Sequence, residues 1–91
     1  MMRYQVDIPR RIRRQIEDLP GHIRQRVKRE IAGLAFDPRP DHAVELRGVL
    51  QGRYKIKLDQ YRIVYRVDDM VAVVEVLKAG KKSPEFYDDV A

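Results

Sequence analysis

The stretch that decides the fold is YKIKLDQYRIVY, residues 54–65, which has the pattern of a β-hairpin. Lys55 and Lys57 alternate with apolar residues, and because successive side chains of a strand point to opposite faces, both lysines lie on the polar face. A reversal at residues 59–60, with either a tight or a slightly longer loop, places Lys57 directly opposite Arg62. Like charges opposed across a sheet cost stability. The hairpin therefore indicates a binding site for an anion, most simply a phosphate.

Strand patterns extend on both sides of this hairpin. Strands are predicted at Arg3–Ile8, Gly52–Leu58, Tyr61–Val67 and Val71–Leu77, with a short strand or turn at Val44–Leu46. Tight turns at residues 59–60 and 68–69 join the last three strands into an antiparallel meander. The last of these strands is apolar nearly throughout, as expected in the centre of a sheet, and Gly80 is expected to end it.

Two helices are predicted between the first strand and the hairpin. Apolar residues recur at helical spacing over Ile12–Leu19, after a helix start at Pro9, and the Pro-Gly pair at residues 20–21 ends this helix. A second helix with one apolar stripe is predicted at His22–Leu34, before a rigid, proline-containing connection at residues 37–41. The two helices form an antiparallel hairpin whose apolar stripes face the sheet, so their arginines point outward.

These elements predict a single α+β domain over residues 1–91. An N-terminal strand, an antiparallel helical hairpin and an antiparallel meander form one twisted sheet, covered on one face by helices around one modest core, with a short helical turn at Glu85–Val90. Cysteine is absent, which excludes disulfides and thiolate catalysis. No apolar leader begins the chain and no run approaches the ~20 apolar residues that span a bilayer, so we expect a soluble, cytoplasmic protein without membrane contact.

Basic residues outnumber acidic ones, with 19 Lys and Arg against 14 Asp and Glu and a formal charge of +5. The excess lies before residue 37, mainly on the predicted helices, and further bases surround the hairpin and residues 78–82. A surface of this kind suits nucleic acid or an acidic protein partner. For the helix arginines, a solvated helix face is the alternative interpretation.

Other chemistry has little support in the sequence. His22 begins a helix and His42 lies in the proline-containing connection, so neither is expected to be catalytic. The paired carboxylates at residues 68–69 and 88–89 lie in a turn and near the chain end, where a solvated role is expected, and we predict no metal site and no cofactor. The hairpin tyrosines fall on its apolar face, which indicates core packing.

The order of strand, helical hairpin and meander resembles the RelE/ParE superfamily of bacterial toxins over nearly the whole chain. The segments that carry this resemblance are Leu46–Gly48, residues 54–65, Val76–Gly80 and Tyr87. The hairpin segment is similar to the RelE branch. This resemblance implies a RelE-like microbial ribonuclease fold and a type II toxin that acts as a metal-independent, ribosome-dependent endoribonuclease, an mRNA interferase that cuts mRNA in the ribosomal A site. The alternative is a non-nucleolytic, gyrase-inhibiting ParE-like toxin or a decayed member that only binds its antitoxin, since one fold can serve several functions.

The resemblance also implies a set of catalytic residues. Lys55 and Lys57 match the paired lysines of the RelE strand, Arg62 the arginine of the next strand, and Tyr87 the C-terminal tyrosine. Lys82 stands where RelE has an arginine, in a loop one residue shorter than in RelE, so it keeps the charge but loses the two-pronged grip on phosphate. By resemblance Lys57 is the base for the mRNA 2′-OH, the other three cations hold phosphate charge, and Tyr87 orients a base of the codon. Crowding of the cations favours the neutral form that a lysine base needs, and packing of the C-terminus is the alternative role for Tyr87.

RNA contacts are further predicted for Arg47, Arg53, Lys78 and Lys81. The predicted partners are a cognate acidic, RelB-like antitoxin that wraps the basic surface, the ribosome and mRNA, with operator DNA reached only through the antitoxin. A general RNA-binding module is the least favoured reading, because it would place aromatic and basic residues on the same strand face, whereas the hairpin separates them onto opposite faces.

Overall fold

The computed structural model describes residues 3–90, which form two helices and five strands. In chain order the elements are β1 (Gln5–Asp7), α1 (Arg10–Glu17), α2 (Gly21–Gly33), β2 (Val44–Glu45), a 3₁₀ helix (Gly48–Leu50), β3 (Arg53–Leu58), β4 (Tyr61–Asp68) and β5 (Val73–Lys81). The predicted α+β class and element order are confirmed. The predicted domain includes Met1, Met2 and Ala91, and the predicted absence of an apolar leader concerns the first two of them. These three residues lie outside the described residues.

The strands form one mixed sheet in the order β1-β5-β4-β3-β2. Every neighbouring pair is antiparallel except β1 and β5, which run parallel. The first strand therefore lies at the edge of the sheet, beside the last strand of the meander. β4 is the central strand, and β5 has neighbours on both sides, as its apolar composition predicts.

Both helices begin after a proline and cover one face of the sheet. Pro9 and Pro20 occupy the residue before α1 and α2, where a fixed φ suits helix entry and a missing N–H costs nothing. The main core joins the helices to the sheet and buries Ile12, Ile16, Leu19, Ile23, Val27, Ile31, Leu34, Ile56, Ile63 and Tyr65, among others. Burial of side chains of this size contributes about 1.5–3 kcal/mol each, so this face holds the fold together. Within residues 3–90, neither helix has the length and apolar composition to cross a membrane.

The opposite sheet face, which we call the outer face, is covered in part by the residues after β5. Phe86 and Val90 are buried against Val64, and further apolar side chains pack around them, namely Leu46, Leu50, Leu77 and Tyr87. The helices cover one face of the sheet, as predicted, but the prediction of a single core is wrong, because Val64, Phe86 and Val90 form a second, smaller cluster on the outer face. The chain over residues 84–89 forms consecutive turns, in agreement with the predicted short C-terminal turn.

β5 begins and ends later than predicted. Residues 69–72 form a loop in place of the tight turn, because the Asp68 carboxylate accepts bonds from the backbone N–H groups of Met70 and Val71 at 3.0 and 3.4 Å. Gly80 does not end the strand, since it pairs with Arg62 and the next residue, Lys81, still pairs with Tyr61.

A β-bulge in β5 changes the face on which its later residues lie. Tyr65 pairs with Val76 but Val64 pairs with Lys78, so Leu77 is an additional residue on β5. A bulge of this kind redirects the side chains that follow it. Lys78 thereby lies on the outer face, and Ala79 is buried in the main core.

Candidate functional site

The β3–β4 hairpin carries the centre of the candidate site. Lys57 pairs with Arg62 and Ile56 with Ile63, which confirms the predicted register. Only residues 59–60 separate the strands, and Asp59 makes the reversal with a φ of 57°, a conformation that Asp tolerates. The hairpin therefore holds two cations side by side on the outer face, where their repulsion costs stability.

Arg62 is held at the base of the turn by backbone oxygens. Its Nη1 donates to the carbonyls of Asp59 and Tyr61, both at 2.8 Å. Its Nε is buried and has no hydrogen-bond partner among the described residues. A buried donor without a partner is costly, and an anionic oxygen is the acceptor that would satisfy it best.

Lys55 is half-buried between the hairpin and the C-terminal residues. Its Nζ lies 5.9 Å from the centre of the Tyr87 ring. Burial lowers the pKa of Lys55 below its ordinary value, and the charges of Lys57, Arg62 and Lys82 lower it further. The sequence predicted that crowding of the cations favours the neutral form of a lysine. The surroundings of Lys55 favour its neutral form in this way.

The end of β5 brings Lys82 to the hairpin and places a residue without a side chain opposite Arg62. The backbone N–H of Lys82 donates to the carbonyl of Gln60 at 2.8 Å, so Lys82 lies beside the turn with an exposed side chain. Gly80 is the β5 residue that pairs with Arg62, and it has no side chain to lie over the guanidinium. The site is therefore open on the side of β5.

Tyr87 packs onto the outer face and also borders the cations. Its ring makes an edge contact with Phe86, with centres 5.1 Å apart, and its hydroxyl is buried without a hydrogen-bond partner among the described residues. The packing role that the sequence offered for Tyr87 is present, and the ring also lies near Lys55; the alternative role, in which Tyr87 orients a base of the codon, stays a prediction. The hydroxyl is a second unsatisfied polar atom at the site.

These observations define a cation cluster on the outer face, which consists of Lys55, Lys57, Arg62 and Lys82 with Tyr87 at its border. All five residues of the predicted catalytic set are brought together. Within residues 3–90, none of the four cations forms an ion pair with a carboxylate. Such an arrangement can bind a phosphate, neutralise developing negative charge and, through a lysine of lowered pKa, accept a proton.

Two of the four residues predicted to contact RNA have partners within the chain instead. Arg53 Nε donates to the Val90 carbonyl at 2.7 Å, and Lys78 Nζ donates to the Phe86 carbonyl at 2.7 Å. Both side chains thus hold the C-terminal residues on the sheet, which the sequence did not indicate. Nothing in their spacing could have shown it, because the bulge that directs Lys78 to the outer face is a feature of strand pairing.

The other two predicted RNA contacts are exposed. Lys81 pairs with Tyr61, so the register places it on the helix-covered face and away from Lys57 and Arg62. Arg47 precedes the 3₁₀ helix, outside the cation cluster. An RNA contact by either residue stays a prediction.

The remaining titratable groups lie outside the cluster. His42 forms an ion-pair contact with Glu30 at 2.7 Å, and His22 is exposed in α2. Within the described range 3–90, no three His, Asp or Glu side chains come together as metal ligands. Within residues 3–90, a cavity of about 590 Å³ lies between β1 and the helices and is lined mainly by apolar side chains, and no residue of the cation cluster lines it.

The chain is similar in sequence and structure to known toxins. The family described as the ParE toxin of the type II toxin–antitoxin system parDE matches residues 6–82. The mRNA interferase toxin RelE of Escherichia coli K12 is 35% identical over 91 residues, 97% of this chain and 94% of the relative. A free-state structure of an E. coli RelE mutant has a TM-score of 0.79 at 33% identity and covers 98% of this chain and 95% of its own. The intact E. coli RelBE toxin–antitoxin complex contains a chain with a TM-score of 0.74 at 33% identity, covering 88% and 98%.

A helical hairpin on one face of a mixed sheet, and unpaired cations on the other, define a small toxin of the type II toxin–antitoxin class. The family match extends over most of the chain, and the E. coli relative is aligned over nearly its full length. The chain belongs to the RelE/ParE superfamily of toxins.

Proposed function

We propose that this chain is a ribosome-dependent endoribonuclease that cleaves mRNA in the ribosomal A site. The observation that supports this most is the cation cluster, because four positive side chains lie together on the outer face and none of them binds a carboxylate of residues 3–90. The E. coli relative that carries the name mRNA interferase toxin RelE aligns over the whole region that contains the cluster. A gyrase-inhibiting ParE-like activity is the competing proposal, since the matching family is described as a ParE toxin.

The proposed reaction is a metal-independent transfer within the RNA. The 2′-oxygen attacks the adjacent phosphorus, the bond to the 5′-oxygen of the next nucleotide breaks, and the products are a 2′,3′-cyclic phosphate and a 5′-hydroxyl. A lysine accepts the 2′-hydroxyl proton, and a lysine ammonium or water supplies a proton to the 5′-oxygen. The guanidinium of Arg62, with its unsatisfied Nε, stabilises the charge that develops on the phosphorane oxygens.

Two lysines compete for the role of base. Lys57 is the residue implied by the resemblance and is exposed towards the open surface. Lys55 is the residue whose pKa is lowered by burial and by its neighbours. The rate of cleavage against pH separates them, because replacing the base with Met removes the rising limb of the profile, whereas replacing a residue that only holds charge lowers the rate at every pH.

The ribosome supplies the orientation that the cluster lacks. The cations include no strong general acid, and they do not line the cavity of about 590 Å³ beside β1. Fixing the reacting groups in line can contribute about 7–11 kcal/mol, which a decoding site that holds the codon would provide. The proposed place of action is therefore the cytoplasm, and naked RNA is expected to be a poor substrate.

Primer extension on a translated message tests this proposal. The purified chain is added to programmed ribosomes, to the same message without ribosomes, and to gyrase with supercoiled DNA. We expect cuts within codons only in the first reaction. Breaks in DNA that depend on gyrase, with the message intact, would establish the competing activity, and an intact message and intact DNA would indicate a member that only binds its antitoxin.

The partner proposed for this chain is a cognate acidic antitoxin with an amphipathic helix. The apolar groove beside β1 is lined by Val6, Ile8 and Ile31. Lys28 in the lining pairs with Glu17 at 3.0 Å, whereas Arg13 forms no ion pair within residues 3–90 and places positive charge next to the apolar anchors. Charge complementarity acts mainly on the association rate, which should fall as ionic strength rises. Stopped-flow measurement with the protein encoded beside this chain checks this, and a rate that does not depend on salt would contradict it.

A further inference from the structure

The C-terminal segment, residues 84–90, lies on the outer face and carries Tyr87 to the border of the cation cluster. Its own backbone bonding is sparse and consists of short-range turns, in which the N–H groups of Phe86, Asp88 and Val90 each donate three residues back. Turns of this kind are weak when isolated. The position of the segment must therefore be fixed by contacts with the sheet.

Two cations of the sheet make those contacts at either side of Tyr87. Lys78 Nζ donates to the Phe86 carbonyl at 2.7 Å, and Arg53 Nε donates to the Val90 carbonyl at 2.7 Å. Lys78 Nζ also donates to Asp89 Oδ1 at 2.8 Å and lies 4.4 Å from the centre of the Phe86 ring. Charge-assisted bonds of this length are among the stronger ones in proteins.

Lys78 has little capacity left for another ligand. An ammonium has three donors, and two of them are used within the C-terminal segment. The side chain of Lys78 is only 20% exposed, against 69% for Asp89. Its contacts are those of a residue that holds a segment in place, and differ from those of a lysine that is free to bind RNA phosphate.

Tyr87 depends on this attachment, because it has no polar anchor of its own. Its hydroxyl has no partner among the described residues, so the ring is held by apolar packing against the cluster of Val64, Phe86 and Val90, which includes the edge contact with Phe86, and by the backbone on either side. The residue immediately before Tyr87 is the one whose carbonyl Lys78 binds. Loss of that bond would release the peptide group that joins Phe86 to Tyr87.

We infer that Lys78 is a positioning residue for the proposed cleavage, which holds Tyr87 beside Lys55 by bonding the Phe86 carbonyl and the Asp89 carboxylate. The β-bulge at Leu77 makes this possible, since without the additional residue Lys78 would lie on the helix-covered face. The effect on cleavage rests on the proposed function. The effect on the position of Tyr87 does not.

The experiment compares Lys78→Met with Lys78→Arg, which keeps a charged donor, and with Arg29→Met, which removes one positive charge from an exposed site of α2. The chain has five tyrosines, so each protein is labelled with fluorotyrosine and the ¹⁹F resonance of Tyr87 is assigned with Tyr87→Phe. Single-turnover cleavage on programmed ribosomes is measured over a range of ribosome concentrations. Asp89→Ala, which removes one bond of the same ammonium at an exposed site, is a second variant in case Lys78→Met does not fold.

We expect Lys78→Met to shift or broaden the Tyr87 resonance and to lower the maximal cleavage rate by up to about 100-fold, because a displaced group near the reaction is costly. The ribosome concentration that gives half the maximal rate should not change. Lys78→Arg should restore most of the rate, Asp89→Ala should show a smaller effect of the same kind, and Arg29→Met should show neither change.

Two results would overturn the inference. An unchanged Tyr87 resonance in Lys78→Met, or in Asp89→Ala if the first variant does not fold, would show that Lys78 does not hold Tyr87. A higher half-saturating ribosome concentration with an unchanged maximal rate would assign Lys78 to RNA binding. If the wild-type chain cuts no message, the proposed function fails, and the resonance still decides whether Lys78 positions Tyr87.

Discussion

β3 and β4 place like charges opposite each other twice, and the two pairs have different surroundings. At one end Arg53 pairs with Arg66, and at the other Lys57 pairs with Arg62. Arg66 binds the carboxylate of Glu75 at 2.7 Å, and Arg53 binds the Val90 carbonyl. No carboxylate of residues 3–90 binds Lys57 or Arg62.

The neighbouring strand accounts for this difference. The β5 residue that pairs with Arg66 is Glu75, whereas the β5 residue that pairs with Arg62 is Gly80. The same strand therefore neutralises one pair and leaves the other open. Two opposed cations do not by themselves indicate a phosphate site. They indicate one when no neighbouring carboxylate neutralises them. The paired end contributes to the fold, and the open end is available for a ligand.

The largest expected effect follows from removing a cation at the open end. Lys57→Ala and Arg62→Ala should each lower single-turnover cleavage by about 100- to 1,000-fold, the usual cost of losing one group that stabilises transition-state charge. Stability should hold or rise by up to about 1 kcal/mol, because a repulsion across the sheet is removed. Thermal melting and cleavage are measured on the same samples, with Arg29→Ala as the control for loss of one charge at an exposed site of α2. Wild-type cleavage in either variant would contradict the site assignment.

The open end can be converted into a paired end by Gly80→Glu. A Cβ at this position would lie 3.8 Å from the Phe86 ring, an ordinary contact, so the substitution is tolerated sterically. The new carboxylate should pair with Arg62 and lower cleavage by at least about 10-fold, as loss of one favourable charge interaction does. Gly80→Gln has nearly the same shape without the charge and should retain more activity. Equal cleavage rates in Gly80→Glu and Gly80→Gln would show that cleavage does not depend on the absence of a carboxylate beside Arg62.

The converse change, Glu75→Gln, leaves the paired end without its carboxylate. Arg66 would lose its ion pair next to Arg53, and the free energy of unfolding should fall by about 1 kcal/mol or less, since both partners are partly exposed. Cleavage should be unchanged. Chemical denaturation checks the first expectation and the ribosome assay the second. A loss of cleavage without a loss of stability would show that the two ends do not act separately.

The smallest expected effect is a pH-dependent gain in stability from Lys55→Met. The pKa of Lys55 lies below its ordinary value of 10.5, so between the two values the unfolded chain binds more protons than the folded chain and wild-type stability rises with pH. The cost of the buried charge is present at all lower pH. Lys55→Met should therefore melt higher than wild type near neutral pH, and this advantage should shrink as pH approaches 10.5. An advantage that is constant with pH would point to packing instead of charge.

Much of the hairpin could be predicted because its causes are local. Strand alternation fixes which side chains share a face, and the reversal at residues 59–60 fixes that Lys57 faces Arg62. The helix stripes and the core position of Tyr65 follow from periodicity in the same way. The five residues implied by the resemblance meet in space because the hairpin register and the end of β5 agree with that pattern.

The bulge in β5 and the packing on the outer face depend on contacts between distant parts of the chain, which the sequence of a single strand does not reveal. The bulge at Leu77 reverses the faces of Lys78 and Ala79, and it is visible only when β4 and β5 are aligned. The cover on the outer face comes from Phe86 and Val90, far along the chain from Val64. Val64 is an apolar residue between charged residues on the outer face. This was the one sign in the sequence that other apolar side chains pack against the outer face.

The most direct test of the central claim, that the unpaired cations promote attack of the 2′-oxygen on phosphate, uses a message with one 2′-deoxynucleotide at the cut site. Wild-type chain, programmed ribosomes and either this message or its all-ribose control are mixed, and the ends of the products are identified. We predict that the control is cut to cyclic or 3′-phosphate and 5′-hydroxyl ends and that the deoxy message remains intact at that position. Cleavage of the deoxy message, or products with 3′-hydroxyl ends, would contradict the account.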